Sequence, residues 1–175
     1  MTDLAMGHSY IQPKARSKSF WTVIADVTAV LSAAAAVFQA HYRIGYSAEA
    51  EQSIGSAWTI VKESAGPIDR GHYGVFAIDS RVGRNFVPGT LFVKLVVGVP
   101  GDLVEVTPDE TKVNGSRVAG AMDSILTTED PDIYRKTFVL GVDEYFVVGT
   151  RPHSFDSRYW GAVKVSQFQG EAWLL

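Results

Sequence analysis

Fifteen of the nineteen residues in the run Phe20 to Phe38, FWTVIADVTAVLSAAAAVF, are apolar, and a run this long and oily has few ways to satisfy its backbone. As an α-helix at about 1.5 Å per residue it covers about 28 Å, close to the hydrocarbon thickness of a bilayer. Lys14, Arg16 and Lys18 precede it, whereas Arg43 on the far side is followed by Glu49 and Glu51. That bias places 1–19 in the cytoplasm as an N-terminal tail, 20–38 across the membrane as an anchor, and 39–175 beyond it. Asp26 is the awkward residue, because an ionised carboxylate at the centre of a span costs about 2.5–3.5 kcal/mol, but it lies near the cytoplasmic end, where water reaches. Two other readings compete: a cleaved secretory signal, whose apolar core is shorter at about 7–15 residues, with Ala33–Ala36 as a cut site, and a buried core helix.

Composition narrows what lies beyond the run. The chain has 175 residues, 46% of them apolar, and removing the run leaves about 42%, ordinary for one soluble domain. Lys and Arg number 16 against 19 Asp and Glu, so there is no basic excess to neutralise phosphates, and no nucleic-acid partner is expected. Cysteine is absent, which excludes disulfides, thiolate metal sites and a cysteine nucleophile together. No metal or other cofactor is expected.

From Trp58 onward, short β-branched and aromatic runs alternate with Gly, Pro, Asn and Asp, the pattern of antiparallel strands. Strands are predicted at Trp58–Lys62, Tyr73–Ile78, Thr90–Val97, Leu103–Val106, Thr111–Val113, Arg117–Val118, Thr137–Leu140, Tyr145–Val148 and Ala162–Val165. Asn114-Gly115 fits a two-residue type I′ hairpin, which needs two positive φ angles. Ala119 to Asp132 reads as an inserted loop with at most one helical turn. The fold class is therefore mainly β, an antiparallel domain carried on one N-terminal transmembrane helix.

One strand carries chemistry. In Thr90–Val97, TLFVKLVV, alternation sets Phe92, Lys94 and Val96 on one face and Leu91, Val93, Leu95 and Val97 on the other. A lysine buried among such neighbours has its pKa lowered by desolvation and becomes a usable general base; on an edge strand it would instead snorkel to water.

The segments around and after this lysine resemble two boxes of the type I signal peptidase family, serine proteases that use a Ser–Lys dyad. Lys94-Leu95-Val96-Val97-Gly98-Val99-Pro100-Gly101-Asp102 matches the first box throughout. Gly149-Thr150-Arg151-Pro152-His153-Ser154-Phe155-Asp156-Ser157-Arg158-Tyr159-Trp160-Gly161 matches the second except that Thr150 stands where the family has Asn. The resemblance implies a signal-peptidase type of antiparallel β-domain over 39–175 and makes Lys94 the general base. It also implies that Ser154 orients the lysine while Asp156 and Arg158 pair to hold the loop. The nucleophile should lie between anchor and lysine. Gln52-Ser53-Ile54-Gly55 is the matching run, closest to the conjugative-transfer proteases of the TraF type, with Gly55 in place of the usual proline. Trp58 and Pro67-Ile68-Asp69-Arg70-Gly71 also fit that branch. Ser53 is the expected nucleophile and Ser56 the nearby alternative. His153 beside Ser154 invites a Ser–His reading, which the lysine box displaces.

One departure bears on catalysis: Glu51 occupies the position two before the nucleophile, where the family often has a hydroxyl that helps form the oxyanion hole. A carboxylate there opposes a developing negative charge, which leaves the Ser53 N–H or the Gln52 side chain as donors. The resemblance implies a single-pass endopeptidase of the bacterial inner (plasma) membrane with its catalytic domain on the periplasmic or extracytoplasmic side. Its substrate would be a precursor protein or a pilin, bound as an added strand, and its other partners a conjugation or secretion machinery. The alternative is a non-catalytic assembly protein of the same fold.

Overall fold

The computed structural model describes residues 19–82, 86–123, 126 and 130–175, with the backbone but not the side chain of Glu51 and Pro131. The chain divides into two units, residues 1–40 and 41–175. Within the first, helix α1 (Phe20–His41) contains the whole apolar run and extends three residues past it. None of its residues is buried, a surface that suits lipid and not a packed protein core.

The second unit opens with strand β1 (Tyr42–Tyr46), a short helix α2 (Ala48–Ile54), and strands β2 (Trp58–Glu63) and β3 (Tyr73–Ala77). Then come β4 (Leu91–Gly98), β5 (Leu103–Val106), β6 (Thr111–Val113), β7 (Ser116–Ala119), β8 (Lys136–Val139) and β9 (Glu144–Val148). A single-turn helix α3 (Ser157–Trp160) precedes β10 (Val163–Lys164) and β11 (Phe168–Leu174). Seven strands form one sheet in the order β1-β2-β11-β3-β4-β9-β10, and four form a second in the order β7-β6-β5-β8. All the pairings are antiparallel, as the strand pattern predicts.

Two cores lie on opposite faces of β4 and β9. Val96 and Val147 join Phe76, Val163 and Phe168 in one, while Val97, Phe146 and Val148 join Val104, Val106 and Leu140 in the other. Burial on both faces explains why these two strands read as nearly continuous apolar runs, broken by Lys94 in β4 and opened by Glu144 in β9; each fully buried Val or Phe contributes roughly 1.5–3 kcal/mol. The β6–β7 turn has Asn114 at φ 50° and Gly115 at φ 77°, the two positive angles of a type I′ hairpin. Asn114 also ties the turn to Asp102, which accepts from Asn114 Nδ2 at 2.8 Å, from the Val99 N–H at 2.7 Å, and through its two oxygens from Arg70 Nη2 at 2.8 and 2.6 Å. Burial opposes the Asp102 charge, but these donors together hold its carboxyl below the usual range. The Pro67–Gly71 segment and the turn after Lys94 are thereby locked to one another.

Three elements fall outside the sequence expectation. β1, β11 and α2 were not among the predicted strands, and α2 carries the expected nucleophile on a helix. The signals were present: Ser47 accepts from the Ala50 N–H at 3.1 Å as an N-cap, and Gly55, at φ 85°, stops the helix. β11, FQGEAWL, alternates buried and exposed residues, but its inward positions Gly170 and Ala172 are small and weaken the apolar signature. The predicted loop Ala119–Asp132 lies partly outside the described residues, and a 3₁₀ turn, Pro131–Tyr134, begins at its end.

Candidate active site

Lys94 does not snorkel. Its side chain is only 4% exposed, on the face of β4 that also carries Phe92 and Val96. It sits where the sheet opens: Lys94 pairs with Gly74 of β3 on one side, whereas β9 begins its pairing with β4 only at Leu95. Desolvation lowers its pKa from 10.5 to about 8; the Asp156 charge pulls back towards the ammonium and Arg158 pushes away from it.

Two hydroxyls meet the lysine. Nζ is in hydrogen-bond contact with Ser53 Oγ and donates to Ser154 Oγ at 3.0 Å. Ser53 is 9% exposed and Ser154 fully buried, so both hydroxyls work in a low-dielectric pocket. Ser53 and Ser154, respectively 41 and 60 positions from Lys94 in sequence, thus converge on it through α2, β4 and the loop after β9.

That loop is held from within. Asp156 accepts from Arg158 Nε at 2.8 Å and Nη2 at 2.9 Å, and from the Gly149 N–H at 2.9 Å. Arg158 donates in addition to the carbonyl of Ser154 at 3.2 Å and to those of Gly120 and Ala121, each at 3.3 Å. Both partners are almost fully buried, so this is no surface ion pair of small value. Every hydrogen-bonding edge is used, which is the condition for a buried pair to be stable.

The same loop clamps the end of α2. The Arg151 N–H donates to the Ser53 carbonyl at 3.1 Å, and Thr150 Oγ1 donates to the Ile54 carbonyl at 3.0 Å. Thr150 therefore supplies a donor where the family has Asn. Gly149 is required by space: a Cβ there would stand 2.0 Å from Ser154 Oγ and 2.5 Å from the Ser53 carbonyl oxygen. Gly55 takes a backbone angle closed to proline, whose φ is fixed near −65°, so the missing proline reflects a different exit from the nucleophile's helix.

The competing residues are otherwise engaged. Ser56 Oγ lies 2.8 and 2.9 Å from the carbonyls of Trp58 and Leu175 and accepts from the Trp58 N–H, the bonding of a turn serine. His153 contacts the Asp123 carboxylate through Nδ1 and makes no hydrogen bond to a serine among the described residues. The helical setting of Ser53 also corrects one expectation. An α-helical N–H is committed to the carbonyl four residues back, here Glu49, so the Ser53 N–H is not a ready oxyanion donor. The Gln52 carboxamide, on the exposed residue before Ser53, is the remaining alternative. The Glu51 side chain lies outside the described residues.

A cleft of about 390 Å³ opens onto Ser53 and Lys94, walled by Phe86, Phe92, Phe155 and Leu126. A buried lysine held between two serine hydroxyls at the floor of an apolar cleft is the arrangement a Ser–Lys hydrolase needs. The family model of signal peptidase, peptidase S26, matches residues 16–175. The chain belongs to the signal peptidase family, peptidase S26. Among similar proteins of this family are the probable signal peptidase I-2 of Synechocystis sp. (strain ATCC 27184 / PCC 6803 / Kazusa) and the signal peptidase I of Leptolyngbya laminosa. The first is 32% identical over 108 residues, 61% of this chain and 47% of that protein; the second is 30% identical over 82 residues, 46% and 38% respectively. The chain thus spans less than half the length of the curated relatives it matches. A crystal structure of a signal peptidase I from Enterococcus faecalis V583 aligns with a TM-score of 0.41 at 24% identity, over 62% of this chain and 98% of that one.

Proposed function

We propose that this member of the signal peptidase family is a serine endopeptidase in which Ser53 is the nucleophile and Lys94 the general base, anchored by the span 20–38. The observation that carries the reading is the lysine amine, 4% exposed and placed against the hydroxyls of Ser53 and Ser154. Neutral Lys94 takes the proton from Ser53 Oγ as the oxygen attacks the scissile carbonyl. The ammonium formed then gives that proton to the leaving amine as the acyl-enzyme forms, and a water activated by the same amine releases the product. Ser154 keeps the amine aimed at Ser53, and the Asp156–Arg158 pair keeps Ser154 in place.

The substrate backbone has a place to bind. Leu91–Lys94 of β4 pair with β3 on one edge and have no strand partner on the other among the described residues, and the cleft runs along them. A precursor segment added there as a strand brings its scissile bond to Ser53, with small side chains suiting the aromatic wall. The positive flank before the span supports a cytoplasmic N-terminus, residues 1–19, and places 39–175 on the periplasmic or extracytoplasmic side of the bacterial inner membrane. The likeness of Ser53-Ile54-Gly55, Trp58 and Pro67–Gly71 to the TraF type supports a pilin precursor of a conjugation machinery as the substrate.

Processing of the precursor in cells carrying wild type, Ser53→Ala, Lys94→Ala or Ser56→Ala tests this. Unprocessed precursor accumulates with the first two variants and not with the third. Normal processing in both Ser53→Ala and Lys94→Ala defeats the protease reading and leaves a binding or assembly role.

A further inference from the structure

The loop that clamps α2 leaves one cation unused. Arg151 is exposed, and its guanidinium has no hydrogen bond or ion pair among the described residues, although Arg70, Arg81, Arg135 and Arg158 of the same unit all have one. It packs over Gly55, with Nε 2.9 Å, Nη2 3.0 Å and Cζ 3.3 Å from where a Cβ would stand. Any side chain at 55 would displace it, and a proline could not take φ 85°. Gly55 and Arg151 therefore form a matched pair immediately after the nucleophile.

Arg151 helps to line a second cleft, of about 460 Å³, with Gln52, Pro152 and His153. Gln52 and His153 are shared with the cleft that contains Ser53 and Lys94, so the two clefts meet beside the nucleophile. Strand addition along Leu91–Lys94 fills the first cleft with the residues before the scissile bond. The residues after it are then left the second. Asp123 is already engaged by His153 and its side chain is 9% exposed, and among the described residues no carboxylate pairs with the arginine. An uncompensated guanidinium at the wall of a peptide-binding cleft selects a carboxylate, which its planar fork can take in two parallel hydrogen bonds.

We propose that Arg151, seated on Gly55 beside Gln52 and His153, forms the subsite for residues on the leaving side of the scissile bond and selects precursors with an acidic side chain there. This rests on the serine-protease reading of the first cleft. The test uses the full chain in detergent and internally quenched peptides with Ala before the scissile bond and Glu, Gln or Lys at the first or second position after it. Wild type should cleave one of the Glu peptides about fivefold faster in kcat/KM than its Lys counterpart. Arg151→Glu should invert that ratio and Arg151→Gln should bring it to about one. A measurement on wild type alone guards against misfolded variants: raising salt from about 0.05 M to about 0.5 M should shrink the Glu preference. A Glu-to-Lys ratio of one in wild type, or an unchanged ratio in Arg151→Glu, overturns the subsite while leaving the protease intact. Failure of wild type to cleave any peptide removes the protease reading and the subsite with it.

Discussion

Replacing Lys94 by methionine, which keeps the length of the side chain and removes its amine, should abolish activity and raise stability in a pH-dependent way. The lysine has its pKa lowered from 10.5 to about 8 by burial, so folding favours its neutral form. Above about pH 10.5 the group is neutral in both folded and unfolded chains and costs nothing. As pH falls from 10.5 to 8 the unfolded chain takes up a proton that the folded chain does not, and stability is lost. Below about pH 8 both carry it and the loss is complete, at about 3 kcal/mol. Methionine removes this penalty but orphans the buried Ser154 hydroxyl, at about 1–3 kcal/mol, while Ser53 Oγ, which lines the cleft, can exchange Nζ for water; the net effect at pH 7 then lies between zero and a gain of about 2 kcal/mol. The pH dependence is independent of that offset: the advantage of Lys94→Met over wild type should fall by about 2 kcal/mol between about pH 7 and 9.5. Urea unfolding of both proteins in detergent, followed by tryptophan fluorescence at several pH values, reads this directly. The same lysine sets the rate. Only about one tenth of it is neutral at pH 7, so kcat/KM should rise tenfold per unit below pH 8 and level off above it. A stability difference that stays flat from pH 7 to 9.5, or a rate still climbing tenfold per unit near pH 10, would show that Lys94 is not a buried amine of this kind.

Two further substitutions probe the shell around the dyad. Gly149→Ala places a methyl group 2.0 Å from Ser154 Oγ and 2.5 Å from the Ser53 carbonyl oxygen. The loop must shift, with an overpacking cost of about 1–3 kcal/mol and a loss of about a hundredfold in kcat as the hydroxyls leave Nζ, checked by melting temperature and single-turnover rate. Asp156→Asn leaves the Arg158 guanidinium buried without its charge partner, and urea unfolding should show a loss of about 3–5 kcal/mol.

The parts of the fold and site that were legible in the sequence are those written locally. The β4 alternation placed Lys94 among Phe92 and Val96, and Asn114-Gly115 announced its hairpin, because each depends only on neighbours two residues away. Ser154, Asp156 and Arg158 were implied by the resemblance of 149–161 to a box of the signal peptidase family. What was not legible depends on contacts distant in sequence. Seven residues of α2 are too few to show a helical period, and their helix is fixed by Ser47 at one end and by Thr150 and Arg151, nearly a hundred residues later, at the other. The value of Gly149 lies in what it almost touches, and the placement of the Arg151 guanidinium over Gly55 is likewise not visible until α2 and the loop are packed together. Likewise, the oxyanion role expected of the Ser53 N–H was a reasonable inference for an extended chain and fails on a helix.

The most direct test of the dyad is to trap the acyl-enzyme. Wild type and Lys94→Ala, each incubated with a slowly deacylating peptide ester at about pH 8.5, quenched in acid and digested with trypsin, yield the fragment Ile44–Lys62, which contains Ser47, Ser53 and Ser56. Fragmentation by mass spectrometry should place the acyl group on Ser53 in wild type and find none in Lys94→Ala. An adduct on Ser56, or one on Ser53 that forms equally fast without Lys94, would contradict the account.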